Sequence, residues 1–98
     1  MIAKTNFGEY EVTMNTNGKY SNGRVAVQLY CEDGPFATLS VNLPNEKIKH
    51  PKTEFFVDVN NCPWATDFLE ENEIAIPKYA YGFSGFCAYP LYELIEEE

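Results

Sequence analysis

Histidine and arginine occur once each in this 98-residue chain, as His50 and Arg24. Nucleophilic catalysis of the Ser-His or Cys-His kind needs a histidine base beside the nucleophile. The lone His50 lies instead in a lysine-rich, proline-bounded stretch that reads as a solvated loop. A single arginine is little with which to recognise phosphates or nucleic acid. Cysteine is also scarce: Cys31, Cys62 and Cys87 are odd in number and widely spaced, with no C-x-x-C pair. That pattern excludes a disulfide framework and a zinc site and predicts three reduced, mostly buried thiols in a reducing compartment. No apolar run approaches the ~20 residues that span a bilayer. The first residues, Met1-Ile2-Ala3-Lys4-Thr5-Asn6, have no apolar signal core. The expectation is a soluble cytoplasmic protein.

Familiar site motifs fail in the same way. No glycine-rich loop is present to cradle a phosphate. Gly82-Phe83-Ser84-Gly85-Phe86 approaches a nucleophile elbow, but Phe86 stands where the second glycine of G-x-S-x-G belongs. Gly82 and Gly85 therefore read as turn residues. Asp58-Val59-Asn60 opens like a calcium loop, but its sixth position is Pro63 and its twelfth is Leu69. The chain is expected not to be an enzyme, with no catalytic residue, no cofactor and no metal.

What the chain does have is apolar surface and unevenly placed charge. Hydrophobic residues make up 45%, with seven Phe, seven Tyr and one Trp, which is globular rather than disordered. One domain over residues 1–98 is expected, enough for one small core. The net charge is −8. Eight of the fifteen acids follow Thr66, with Lys78 as their only basic companion. A potential so lopsided repels nucleic acid and acidic membranes and attracts basic surfaces.

The hydrophobic pattern places the elements. Glu9 to Met14 alternates like a strand, and Asn15 to Gly23 is turn chemistry with two Asn-Gly pairs. Arg24–Cys31 and Phe36–Leu43 alternate in matching phase around Glu32-Asp33-Gly34-Pro35, which predicts an antiparallel hairpin. Pro44 to Thr53 reads as an exposed loop, and Glu54 to Val59 as a further strand. Asn61-Cys62-Pro63 opens a helix over about 63–72, with Trp64, Ala65, Phe68 and Leu69 as its apolar stripe. Asn72 is expected to end it in the left-handed conformation. Ile74–Pro77 reads as a brief extended piece and Tyr79–Gly85 as an aromatic loop. Cys87–Ile95 reads as a last strand, which Pro90 restricts to an edge or a bulge. Glu96–Glu98 reads as a frayed acidic tail. The fold class is α+β: a mainly antiparallel sheet of about five strands packed on one helix.

Two segments are candidates for function. Six aromatics lie between Tyr79 and Tyr92, more than the edge of a small core absorbs. Exposed rings are favoured contact residues. Tyr79, Tyr81, Phe83, Tyr89 and Tyr92, together with Glu70, Glu71, Glu73 and Glu93, form an expected interaction surface. The second candidate is a polar cluster of Asp58, Asn60, Asn61 and Ser84, with Cys62 beside it. Its side chains serve either to fix a strand-to-helix turn or to hold a small ligand.

These segments also resemble a known family. The succession Leu39-Ser40-Val41-Asn42-Leu43-Pro44, Phe56-Val57-Asp58-Val59-Asn60-Asn61-Cys62-Pro63, Phe68-Leu69-Glu70-Glu71-Asn72 and Ser84-Gly85-Phe86-Cys87-Ala88-Tyr89-Pro90-Leu91-Tyr92 is similar to the bacterial domain of unknown function 4313. The likeness covers roughly residues 24 to 94, with Val59 where the family pattern carries threonine. The resemblance implies a small protein of Firmicutes, often carried on mobile elements, and brings no activity with it. By analogy it implies an accessory or anti-defence role. Three readings follow. The first is a non-enzymatic acidic protein docking on a protein partner with a basic surface, with neither nucleic acid nor membrane bound directly. The second is a small-ligand or catalytic pocket around Asp58, Asn60 and Asn61. The third is a structural homodimer that pairs edge strands or buries the aromatic loop.

Overall fold

The computed structural model of the chain describes residues 1–95. The expected acidic tail at 96–98 lies outside the described residues. The chain runs β1 (Ile2–Thr5), β2 (Gly8–Glu11), β3 (Thr13–Asn15), β4 (Gln28–Cys31), β5 (Gly34–Thr38), β6 (Ser40–Val41), β7 (Glu54–Val57), α1 (Ala65–Glu71), β8 (Ala75–Ser84) and β9 (Cys87–Leu94). Every strand pair is antiparallel. The class is α+β, as the pattern indicates. One sheet of about five strands is replaced by three small sheets: β1-β2, β3-β4-β5 and β6-β7-β9-β8.

The division has a local cause. The expected strand from Phe36 to Leu43 breaks at Leu39, where the chain leaves one sheet for another. The Leu39 N–H bonds back to the Val27 carbonyl, while its own carbonyl accepts from Asp58 N–H. The hairpin itself forms as expected: Cys31 pairs with Gly34 across Glu32-Asp33, so Gly34 and Pro35 belong to β5 rather than to the turn. Pro35 is tolerated because β5 is an edge. The expected Glu9–Met14 strand also divides at the buried Val12, so that β2 pairs with β1 and β3 with β4.

The four-stranded sheet is covered on both faces because β7 is buried at all four residues. Phe55 and Val57 enter the main core with Val27, Leu29, Leu39, Phe68, Leu69 and Tyr92. Phe56 turns the other way and packs with Leu43, Tyr89, Ile48 and Leu91. The segment from Pro44 to Thr53 is therefore more than the exposed loop its composition indicates, since Ile48 plugs this second layer. Pro90 lies inside β9, at a point beyond the reach of β7, whose pairing ends at Phe56 opposite Leu91. The missing N–H is harmless there.

The helix is shorter than expected. Trp64 occupies the N-cap without a side-chain hydrogen bond, so neither Asn61 nor Cys62 caps it. Asn72 keeps φ −93° at the C-cap, and Glu73 takes the left-handed conformation, φ 54°. Ile74 N–H bonds to the Leu69 carbonyl at 2.9 Å and Glu73 N–H to Glu70 at 3.1 Å, which is a Schellman motif. An L-residue with a side chain is strained at that position. Glu73→Gly is expected to raise stability by ~0.5–1 kcal/mol, read as a higher urea midpoint. A lower midpoint would show that the Glu73 side chain contributes more than the backbone strain removes.

A line of rings ties the N-terminal hairpin to the helix. Tyr10 and Phe36 lie 5.1 Å apart, Phe36 and Trp64 6.1 Å, and Trp64 and Phe68 6.1 Å. Among the described residues, no helix is long and apolar enough to cross a membrane.

Candidate functional site

The expected aromatic loop is a strand. β8 runs unbroken from Ala75 to Ser84 and pairs with β9 as a long hairpin that turns at Gly85-Phe86. Periodicity hides this strand because the register slips between Pro77 and Tyr81. There Tyr79 stands at φ 58°, a conformation that side chains disfavour. Gly82 is not a turn residue but a mid-strand one, packed against Phe56 and Leu43. Gly85, at φ 59°, is the turn glycine.

The pairing decides which rings share a face. Pro77 lies opposite Tyr92, Tyr81 opposite Pro90, and Phe83 opposite Ala88. Cross-strand partners project to the same side. Tyr92 reaches the helix, its hydroxyl donating to Glu70 Oε2 at 2.9 Å. Tyr81 and Phe83 are therefore on the helix side of the sheet, farther along the hairpin. The Tyr92 phenol lies within the fields of Glu70, Asp67 and Tyr81. Asp67 and Glu70 of α1 and the exposed Tyr81 of β8 thus converge beside Tyr92.

Not every expected contact residue joins this surface. Tyr79 is 90% exposed, Tyr81 59% and Phe83 63%. Glu70, Glu71 and Glu73 are exposed as well. Tyr89 and Tyr92, at 8% and 5%, are interior and unavailable to a partner. Their alternation on β9 sends one into each core layer, and burial of the two faces consumes both rings. Glu93 faces away from the helix, where its carboxylate accepts from Lys78 Nζ and Thr53 Oγ1, both at 3.3 Å. Phe86, absent from the expected set, is fully exposed at the hairpin tip. The two-residue Gly85-Phe86 turn between alternating segments was the signal for it.

The polar cluster also divides. The Asp58 carboxylate accepts from the Asn61 backbone N–H at 3.2 Å and from Asn61 Nδ2 at 2.9 Å. Cys62 N–H bonds to the Asp58 carbonyl at 2.8 Å. Asp58 thus fixes the turn that leads β7 toward the helix. Asn60 and Asn61 line an open groove of about 590 Å³ with Phe7, Tyr10, Phe36 and Trp64. Ser84 is elsewhere, at the end of β8 beside Asn42, Pro44 and Asn45. It does not join Asp58, Asn60 and Asn61.

All three cysteines are free; Cys62 is buried, while Cys31 and Cys87 are half-buried. Burial, and secondarily Asp58, pushes the Cys62 thiol up. Burial, then the hydrogen bond to Glu70, pushes the Tyr92 phenol up. A raised folded-state pKa means that each group holds its proton more tightly in the native protein. The stability this contributes is complete below the ordinary values, 9.0 for the thiol and 10.0 for the phenol, and is lost as pH rises beyond them. Tyr92→Phe is expected to cost ~0.5–1.5 kcal/mol at neutral pH through the lost Glu70 bond. It is also expected to flatten the decline in stability above pH 10, as read by urea midpoints across the alkaline range. A variant whose alkaline decline matches the parent's would refute the interior placement of this phenol.

The family described as Domain of unknown function (DUF4313) has a model that matches residues 13–97. The chain belongs to that family. The matched DUF4313 segment begins at β3 and contains the acidic helix and the whole β8–β9 hairpin. The β1–β2 hairpin, which supplies Phe7 and Tyr10 to the aromatic groove, precedes it. No curated protein and no solved structure matches the chain.

Proposed function

We propose that this DUF4313 chain is a non-enzymatic binding protein whose helix-side face docks on a basic surface of a protein partner. One observation carries the reading: Tyr81 and Phe83 stand exposed on the face where Glu70 and its neighbouring acids lie. Exposed rings supply contact area at low entropic cost, and carboxylates around them steer the encounter and reject acidic competitors. Phe86 extends the surface to the hairpin tip. An accessory role on a bacterial mobile element, including interference with a host enzyme that handles nucleic acid, fits a face of this sign.

The test is capture from a cell extract with the parent chain and two variants, Tyr81→Ala/Phe83→Ala and Glu70→Gln/Glu71→Gln. The expected result is a basic protein retained by the parent. Each ring truncation weakens binding by about 1–2 kcal/mol. Affinity falls steeply between ~0.01 and ~0.15 M salt as the screening length shrinks from ~30 to ~8 Å. A partner held equally by parent and variants, with no dependence on salt, overturns the reading.

A second reading, a small-ligand site at Asn60 and Asn61, is supported by the aromatic groove that these two residues line. Pairing of β8 edges in a homodimer is less favoured. The slip at Tyr79 and the presence of Pro77 and Lys78 blunt that edge against a second strand.

A further inference from the structure

We infer that the opposite side of the molecule carries a binding cleft for a small polyanion, a molecule bearing two or more phosphate or carboxylate groups. An open cleft of about 860 Å³ lies beneath the segment from Pro44 to His50, of a size that suits small molecules. Four of the seven lysines and arginines line it: Arg24, Lys47, Lys49 and Lys78, with the only histidine, His50, at its rim. Glu46 and Glu54 are the acids in the lining. A local excess of positive charge thus faces one concavity in a chain of net charge −8. Field lines concentrate in such a cleft and draw in counter-charged ligands.

The cations divide by what already holds them. Arg24 is structural: its guanidinium donates to the Leu43 carbonyl at 2.6 Å and to the Glu46 carbonyl. Lys78 is shared with Glu93 at 3.3 Å. Lys47 and Lys49 have no ion-pair partner among the described residues. The backbone that carries them is anchored: Ile48 between them packs against the cluster of Phe56, Leu43 and Tyr89. Arg24 pins the segment at one end. At the other, the buried Glu54 carboxylate accepts from His50 N–H at 2.8 Å, and Val25 N–H bonds to the Pro51 carbonyl. Leu91 and Ala80 add apolar lining. Two lysines without an ion-pair partner among the described residues, lining one cleft with apolar groups, fit a ligand with separated anionic groups on a compact body. This site is independent of the acidic face on the helix side.

The test is titration of the full chain with pyrophosphate and, separately, with citrate, at constant ionic strength, followed by amide NMR shifts. Saturable shifts confined to residues 46–50 and 78–80 are expected with one or both probes, and the stronger probe names the anionic group. Lys47→Gln/Lys49→Gln is expected to weaken that binding roughly tenfold or more, equivalent to ~1.4 kcal/mol. Lys4→Gln, on β1, leaves it unchanged. Three results overturn the inference: shifts that do not saturate with either probe, shifts spread equally over Lys4 and Lys19, or a thymidine oligonucleotide that binds the same residues more tightly than either probe. The last would make the cleft a nucleic-acid groove.

Discussion

Phe55→Ala is expected to lower stability by ~3–5 kcal/mol, a large part of the ~5–15 kcal/mol that holds a domain of this kind together. Phe55 is 2% exposed and is the largest of the fully buried side chains. It stands on β7, in the strand that carries both core layers, and opposite Tyr92 of β9. Its removal leaves a void bounded by elements of two different sheets, which cannot close without moving one of them. The measurement is the urea midpoint together with the far-ultraviolet spectrum. A midpoint within error of the parent's would mean that the sheet faces are assigned the wrong way round.

Gly82→Ala is the second large effect, and its origin is the reverse: too much volume rather than too little. A methyl group built on Gly82 meets Phe56 Cε1 at 2.7 Å and Leu43 Cδ1 at 2.8 Å. Atoms do not approach so closely, and Phe56 is packed on all sides. The expected cost is ~1–3 kcal/mol from overpacking. A double-mutant cycle separates this from a general weakening of the strand. Phe56→Leu removes the ring atoms that clash, so Gly82→Ala should cost clearly less on that background than on the parent's. Additive effects would locate the strain elsewhere. The result bears on function, because the same close approach keeps the hairpin flat on the second layer while Tyr81 and Phe83 project from the other side.

The β4–β5 hairpin was legible because its evidence is local. Alternation of Val27, Leu29 and Cys31 against Ala37 and Leu39, with turn residues between, needs no distant partner. The helix was legible from Ala65, Phe68 and Leu69, yet its ends were not. The Asp58–Asn61 turn and the left-handed Glu73 depend on where β7 ends and β8 begins. Tyr79–Gly85 reads as a loop because the alternation of β8 slips at Tyr79, and a bulge looks like irregular chain when only one strand is in view. In the candidate site, the exposure of Tyr79, Tyr81 and Phe83 could be anticipated from the excess of rings. The burial of Tyr89 and Tyr92 could not, since each ring needed a core layer that only the folded sheet provides. The only sequence signal of the basic cleft was the lysine-rich stretch around His50, which reads as a solvated loop. Arg24, Lys49 and Lys78 are far apart in the chain, and composition alone argued against anion recognition.

The amino-acid order by itself determined the α+β class, the antiparallel hairpin, the acidic imbalance and membership of a family with a recognisable succession of motifs. The first three rest on near neighbours or on summed charge, which local physics can read, and the last on the order of the motifs along the chain. Tertiary structure alone decided that the described residues form three sheets, that the β8–β9 hairpin buries Tyr92 and Tyr89 in different core layers while Tyr81 and Phe83 stay exposed, and that Arg24, Lys47, Lys49 and Lys78 meet in one cleft. Those outcomes depend on which strand ends lie beside which. That is settled by the mutual burial of Phe55 on one side of β7 and Phe56 on the other.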